Sequence, residues 1–268
     1  MIRFVKAHAY GNDFVYVLRA DVDGTYVDRF AREICDRHTG VGADGLIIYE
    51  HTLNGASMRL FNADGGRAEV SGNGVRGLGA LLMRDGFGTP AEMVVETEGG
   101  SKQVTFVGQD GHRQIFRASM GLPAGLQQRS VNIDGEAIEM VVMSMGNPQA
   151  VVLGSLPDDE RFERVGRALE RHPLFPDGTN VEFAVVEKPD RIRIRIWERG
   201  VGPTTSSGTG SCASLVAAAA FGGASRHAEV IAPGGAQRVE WLDDSVYLTG
   251  WAEVLCEGAW LRPLPKVF

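Results

Sequence analysis

The stretch Ser-Gly-Asn-Gly-Val-Arg-Gly occupies residues 71–77, and Ser-Gly-Thr-Gly-Ser-Cys-Ala occupies residues 207–213. Each opens an apolar run rich in Ala and Leu, which is typical of a buried helix. Three more landmarks recur at the same spacing: Gly11-Asn12 returns as Gly146-Asn147, residues 59–62 align with 195–198, and Gly99-Gly100 returns as Gly234-Gly235. Because the offset is always 135 or 136 residues in a chain of 268, the sequence predicts two copies of one domain.

Composition limits the classes of function. The chain is 44% hydrophobic and 23% charged, which is normal for a globular protein, and its formal charge is −7. An acidic balance argues against a nucleic acid or an anionic membrane surface as partner. No signal peptide and no run of roughly 20 apolar residues is recognisable, so a cytoplasmic location is expected. Three cysteines without metal-ligand spacing argue against a disulfide framework or a zinc site.

The pattern of apolar residues predicts many strands and few helices. Helical periodicity covers residues 27–37, 74–84, 160–170 and 210–221. Short apolar or alternating segments predict strands at 2–5, 14–18, 46–49, 57–61, 93–96, 103–107, 138–142, 150–153, 181–186, 192–197, 229–231, 238–241 and 246–249. In each half the central helix precedes a strand, a Gly-Gly turn and a second strand, which indicates a hairpin in place of a parallel crossover.

These observations predict an α+β fold of two pseudo-symmetric domains. Each is expected to be a mainly antiparallel β-barrel around a central helix, with the active site in the interdomain cleft. The pattern breaks near residues 119–125, so the predicted domains are 1–118 with the C-terminal 254–268, and 119–253. No low-complexity segment separates them.

The glycines allow two interpretations. Residues 72–77, 208–213 and 40–45 fit the G-x-G-x-x-G/A pattern of dinucleotide sites. In the first two segments the predicted strand ends well before the first glycine, and at 40–45 a predicted helix precedes the glycines and a strand follows, so a nucleotide is disfavoured. Glycines at a helix start also leave N–H groups and the positive end of the helix dipole available to a small carboxylate. The plainer alternative is that Ser71 and Ser207 are ordinary helix N-caps.

Six motifs together resemble diaminopimelate epimerase over essentially the whole chain. They are the segments 11–14, 61–65, 72–76, 146–148, 198–200 and 208–213. The resemblance implies a pyridoxal-independent enzyme that interconverts LL- and meso-diaminopimelate for lysine and cell-wall synthesis. It implies a diamino dicarboxylic acid as substrate, no metal or organic cofactor, and a possible homodimer.

The resemblance also assigns residues. In that family two cysteines flank the substrate α-carbon, and Ser71 and Ser207 occupy both positions here. The residues assigned to substrate binding are all retained: Asn12, Asn62, Gly72, Asn73, Gly74, Asn147, Asn180, Glu198, Arg199, Gly208 and Thr209. Arginine suits a carboxylate and glutamate an ammonium group. Each of the polar residues, taken alone, also fits a turn or a surface position.

The serines weaken the expected chemistry. A thiol with a pKa of ~8.5 is readily ionised at a helix start, whereas a serine hydroxyl normally needs an adjacent base. The family's histidine helper is replaced by Gln149, and Gly77 also departs from the usual pattern, which favours natural divergence over two deliberate changes. The sequence therefore allows three hypotheses for the function: an epimerase of low activity, a same-fold isomerase or dehydratase acting on another small carboxylic acid, and a non-catalytic amino-acid-binding protein.

Overall fold

A computed structural model describes residues 1–86 and 92–265. The chain separates into two compact units, Met1–Ala118 with Gly250–Phe268, and Ser119–Thr249. Within the described ranges, no helix is long and apolar enough to cross a membrane.

The first unit consists of strands around one central helix. Its elements are β1 (Ile2–Ala9), β2 (Asn12–Leu18), α1 (Val27–Cys35), β3 (Gly45–Thr52), β4 (Gly55–Asn62), β5 (Arg67–Ala68), α2 (Gly72–Arg84), β6 (Glu92–Thr97), β7 (Gly100–Asp110) and β8 (Arg113–Ser119). A short 3-10 turn, Arg19–Asp21, follows β2. Strands β1–β2, β3–β4, β6–β7 and β7–β8 pair antiparallel, and β2–β3 and β4–β6 pair parallel.

The second unit repeats this order after one additional strand. Its elements are β9 (Ala124–Ile133), β10 (Glu136–Ser144), β11 (Pro148–Leu153), α3 (Asp159–Glu170), β12 (Asn180–Lys188), β13 (Arg191–Glu198), β14 (Gly202–Thr204), α4 (Gly208–Phe221), β15 (His227–Ala232), β16 (Gly235–Trp241) and β17 (Val246–Trp260). Strands β11–β12 and β13–β15 are parallel, as β2–β3 and β4–β6 are in the first unit. The α+β class and the repeated, mainly antiparallel topology are therefore confirmed.

Strand β17 serves both units. Its first residues pair antiparallel with β16, from Val246 opposite Trp241 to Thr249 opposite Arg238. Its later residues pair antiparallel with β1, from Glu253 opposite His8 to Trp260 opposite Ile2.

The central helices are enclosed, as their apolar runs predict. Every residue of α2 from Gly72 to Leu82 is buried, and so is every residue of α4 from Gly208 to Ala218. Helices α1 and α3 instead bury one face, which includes Phe30 and Ile34 in the first unit and Phe162 in the second. Small residues in α2 and α4 allow strands to approach these two helices from several sides.

Two expectations were wrong in detail. Helices α2 and α4 do connect parallel strands, and each Gly-Gly hairpin follows the crossover instead of replacing it. The predicted strands also omit β5, β8, β9, β14 and the part of β17 beyond Thr249. Strand β9 shows why: most of its side chains are exposed, so it lacks the alternation of apolar and polar residues that identifies a half-buried strand.

Candidate functional site

Ser71 and Ser207 begin the two enclosed helices. Ser71 Oγ accepts a hydrogen bond from the Gly74 N–H at 3.1 Å, and Ser207 Oγ accepts one from the Gly210 N–H at 3.0 Å. Both serines are therefore N-caps, and the plainer interpretation of the motifs is confirmed in its structural part. Both are also only half-buried, so capping leaves each hydroxyl at the positive end of a helix and accessible from outside.

In the first unit, Asn12 is held from two sides. Its Oδ1 accepts a hydrogen bond from Asn73 Nδ2 at 3.0 Å, and its Nδ2 donates to Asp44 Oδ2 at 2.8 Å. Asn73 in turn accepts a hydrogen bond from Arg76, whose side chain is fully buried. The first turn of α2, which also contains Gly72 and Gly74, is thus connected to the start of β2 by a fixed pair of amides.

A cluster of charged side chains surrounds Asp44, the hydrogen-bond partner of Asn12. Asp13 lies 2.9 Å from Lys6 Nζ and 2.8 Å from Arg37, and Arg37 lies 2.7 Å from Asp44. Burial alone would raise the pKa of the Asp13 carboxyl, but hydrogen bonds from Arg37 and Lys6 outweigh it and lower that pKa. The ion pairs of Arg37 fix Asp44, which sequence reasoning missed because it contacts Asn12 from a distant loop.

The second unit has an equivalent link, with a hydroxyl in place of one amide. Asn147 Nδ2 donates to Thr209 Oγ1 at 3.4 Å, at positions that correspond in the repeat to Asn12 and Asn73. Thr209 Oγ1 lies 3.5 Å from Ser207 Oγ. Gln149, fully buried on β11, contacts Asn147 at 2.7 Å. The starts of α2 and α4 are therefore built alike.

Asn180 and Arg199 are joined in the same unit. Asn180 Oδ1 accepts a hydrogen bond from the Arg199 N–H at 3.0 Å, and Asn180 Nδ2 donates to the Pro148 carbonyl at 3.1 Å. The Arg199 guanidinium donates to the Asp177 carbonyl at 3.1 Å. These bonds bring three predicted site residues, Asn147 through its neighbour Pro148, Asn180 and Arg199, to one end of β11 and β12.

Asn62 and Glu198 occupy equivalent strand ends. Asn62 ends β4 opposite Gly45 and is half-buried, and Glu198 ends β13 opposite Gly202 and is half-buried. Neither is joined by its side chain to the serine caps through the bonds described above.

Glu182 is the functional candidate that sequence reasoning missed. It lies in β12, is 0% exposed, and faces the start of α4, where a Cβ added to Gly210 would stand 2.4 Å from its Oε1. Burial raises the pKa of the Glu182 carboxyl well above its usual value, and the negative charge of Glu198 raises it further. The internal repeat could have identified Glu182, because the equivalent residue of the first half, at an offset of 135 residues, is the apolar Ile47.

Each unit thus offers a capped helix start, a half-buried serine and an asparagine that is hydrogen-bonded to the first turn of the helix. Main-chain N–H groups at a helix start suit a carboxylate ligand. The second unit adds a buried carboxyl group close to its serine. These features suit the binding of a small anionic molecule and the transfer of a proton at a neighbouring atom.

Comparison with known proteins identifies related chains. The family model described as diaminopimelate epimerase matches residues 4–125 and 141–255. A diaminopimelate epimerase of Desulforudis audaxviator is 38% identical over 283 residues, covering 97% of this chain and 100% of the relative. One of Desulfitobacterium hafniense is 37% identical over 280 residues, covering 97% and 99%. The solved structure of a probable proline racemase from Agrobacterium radiobacter has the same fold, with a TM-score of 0.77 at 16% identity over 98% of this chain and 94% of that one.

Proposed function

Because this chain belongs to the diaminopimelate epimerase family, we propose that it interconverts LL- and meso-diaminopimelate, with Ser71 and Ser207 in the acid and base positions. The observation that carries the proposal is the repeated helix start, in which a half-buried serine cap lies beside a side chain that is hydrogen-bonded to an asparagine of a neighbouring strand or turn. Proton transfer at a carbon beside a carboxylate creates negative charge, which two helix N-termini would stabilise.

Recognition of the substrate is assigned to the retained residues. We propose that the N–H groups of the first helical turns bind the carboxylate next to the reacting carbon; these turns contain Gly72, Asn73, Gly74, Gly208 and Thr209. Arg199 and Glu198 are proposed to bind the carboxylate and the ammonium of the distal end, with Asn12, Asn62, Asn147 and Asn180 as amide partners. As the resemblance implies, we further propose a cytoplasmic homodimer.

A second candidate is an isomerase or dehydratase that acts on another small carboxylic acid. The observation that favours it is the replacement of the family's acid/base pair by Ser71 and Ser207, with Gln149 in the helper position. A more acidic C–H bond, or a leaving group on the neighbouring carbon, would lower the demand on such weak bases.

Incubation with each diaminopimelate isomer in D₂O tests the proposal. We expect saturable binding and slow uptake of deuterium at the α-carbon, with appearance of the other isomer, followed by NMR and mass spectrometry. The Ser71→Ala/Ser207→Ala double variant is the control and should bind without exchange. Exchange with retention would point to one-base chemistry, and binding with no exchange would refute the epimerase in favour of a binding protein or of the second candidate.

Arg199→Ala should weaken binding of diaminopimelate. Loss of a hydrogen-bonded charge contact costs about 2 kcal/mol, equivalent to about a 30-fold higher dissociation constant. Arg193→Ala is a matched control, because Arg193 lies on β13, which ends immediately before Arg199, and pairs with Glu187. Isothermal titration calorimetry measures both, and an unchanged dissociation constant in Arg199→Ala would remove Arg199 from the site.

A further inference from the structure

The two serine caps differ in the side chain that lies beneath them. A Cβ added at Gly74 would stand 3.3 Å from Ser71 Cβ and 2.8 Å from Ile47 Cδ1. At the equivalent Gly210 it would stand 3.1 Å from Ser207 Cβ and 2.4 Å from Glu182 Oε1. The second unit therefore places a carboxyl group where the first has a methyl group, and the two serines are chemically unequal.

Gln149 lies between Glu182 and the hydroxyl groups. One end of its amide is 3.0 Å from Glu182 Oε1 and 3.2 Å from Oε2, and the other end is 3.2 Å from Thr209 Oγ1 and 2.7 Å from Asn147 Oδ1. An amide nitrogen and an amide oxygen have nearly the same shape, so the partners decide which end faces which way. A protonated carboxyl donates a hydrogen bond, whereas a carboxylate only accepts.

When Glu182 is protonated, it donates to Gln149 Oε1. Gln149 Nε2 then donates to Asn147 Oδ1, and Asn147 Nδ2 donates to Thr209 Oγ1. The Thr209 hydroxyl is left to donate to Ser207 Oγ, 3.5 Å away. Since Ser207 Oγ also accepts the Gly210 N–H, the Ser207 hydroxyl proton points outward.

When Glu182 is ionised, the donors and acceptors in this series of hydrogen bonds are exchanged. Gln149 Nε2 donates to Glu182, and Gln149 Oε1 accepts from the Thr209 hydroxyl at 3.2 Å. The Asn147 amide must turn with it, because two oxygens would otherwise face each other at 2.7 Å. Thr209 can then accept a hydrogen bond from Ser207, which leaves a lone pair of Ser207 Oγ pointing outward.

We propose that Glu182 is a positioning residue for the reaction proposed above, and that through Gln149 and Thr209 it sets whether Ser207 donates or accepts a proton. The inference rests on that proposed function. Burial raises the pKa of Glu182 above its usual value, which supports the inference because the protonated form of the side chain then persists to higher pH. The groups that face Glu182 are Glu198 at the end of β13, Gln149 on β11 and the first turn of α4.

The first test compares wild type with Glu182→Gln, which keeps the size of the side chain and cannot ionise. The side-chain amide NMR signals of Gln149 should shift with pH in wild type and stay constant in the variant. Glu187→Gln is the matched control, since Glu187 lies on the same strand, is exposed, and pairs with Arg193; its Gln149 signals should titrate as in wild type. Gln149 signals that do not titrate in wild type would overturn the inference.

The second test measures α-deuterium uptake from LL- and meso-diaminopimelate against pH. In Glu182→Gln we expect a lower kcat for the isomer whose α-proton Ser207 removes. The decrease should be about tenfold at pH values above the pKa of Glu182, with KM unchanged and the inflection of the pH profile lost. An identical pH profile in variant and wild type would overturn the positioning role. If wild type shows no exchange at all, the proposed function fails, while the NMR titration still decides whether Glu182 controls Gln149.

Stability against pH gives an independent check of the same carboxyl. Because the folded state holds the Glu182 proton more tightly than the unfolded chain, stability is lost as pH rises from the unfolded pKa through the folded pKa. Glu182→Gln lacks this loss, so its Tm relative to wild type should rise as the pH increases above the usual glutamate pKa of ~4.3. A Tm difference that stays constant over this range would contradict the assignment.

Discussion

Ser71→Cys combined with Ser207→Cys should raise α-proton exchange and epimerisation of diaminopimelate by at least about 100-fold, the usual contribution of a competent general acid or base. The caps already lie at helix N-termini, where a thiol with an ordinary pKa of ~8.5 is pushed toward the thiolate. A serine hydroxyl in the same place remains protonated and is a poor base. NMR in D₂O measures the gain for each isomer.

The single variants and one buried cysteine provide the controls. Each single Ser→Cys change should accelerate exchange mainly from the configuration that the new thiol faces, without matching the double variant. Cys212 is buried in α4, so removing it by Cys212→Ser in the double variant should leave the gain intact. A folded double variant that binds diaminopimelate and shows no gain would count decisively against these two positions.

Gly77→Ala should destabilise the protein by about 3 kcal/mol, at the upper end of what overpacking a core usually costs. A Cβ at Gly77 would stand 2.1 Å from the hydroxyl oxygen of Tyr16. Tyr16 is fully buried and donates to the Gly74 carbonyl at 3.0 Å, so it cannot move without disturbing the start of α2. Urea unfolding measures the loss.

The clash can be relieved in a double variant. Tyr16→Phe removes the oxygen that meets the new methyl group, so Tyr16→Phe/Gly77→Ala should recover part of the loss, although the ring carbon at 3.0 Å remains close. Gly108→Ala is the control, because nothing lies within 4 Å of a Cβ there, and should be near neutral. If Gly77→Ala proves as stable as wild type, Tyr16 is not the reason that residue 77 departs from the family pattern.

Local signals were sufficient for the central helices. Ser71 and Ser207, each followed by glycine and an apolar run, marked α2 and α4, and both helices begin directly after the serine. The predicted starts at residues 74 and 210 were two residues late because glycine has a poor helix propensity. In these first turns the serine cap and burial outweigh that propensity.

Other features depended on contacts between distant residues. Asn12 meets Asp44 across 32 positions of the chain, and no local pattern indicates such a pair. Glu182 stood inside a run that reads as an ordinary strand, and only its equivalence to Ile47 marks it as unusual. Even so, its raised pKa depends on burial against the start of α4, which is a property of the folded chain.

The path of β17 bears on synthesis of the chain. Strand β1 leaves the ribosome before its partner residues Glu253–Trp260, which follow more than 240 positions later. Until then one edge of β1 has exposed hydrogen-bonding groups, which favours association with other chains. Contacts of such long separation also slow folding. The second unit, with its partners between 119 and 249, is therefore expected to close before the first, and chaperones should bind the N-terminal half of the nascent chain longest.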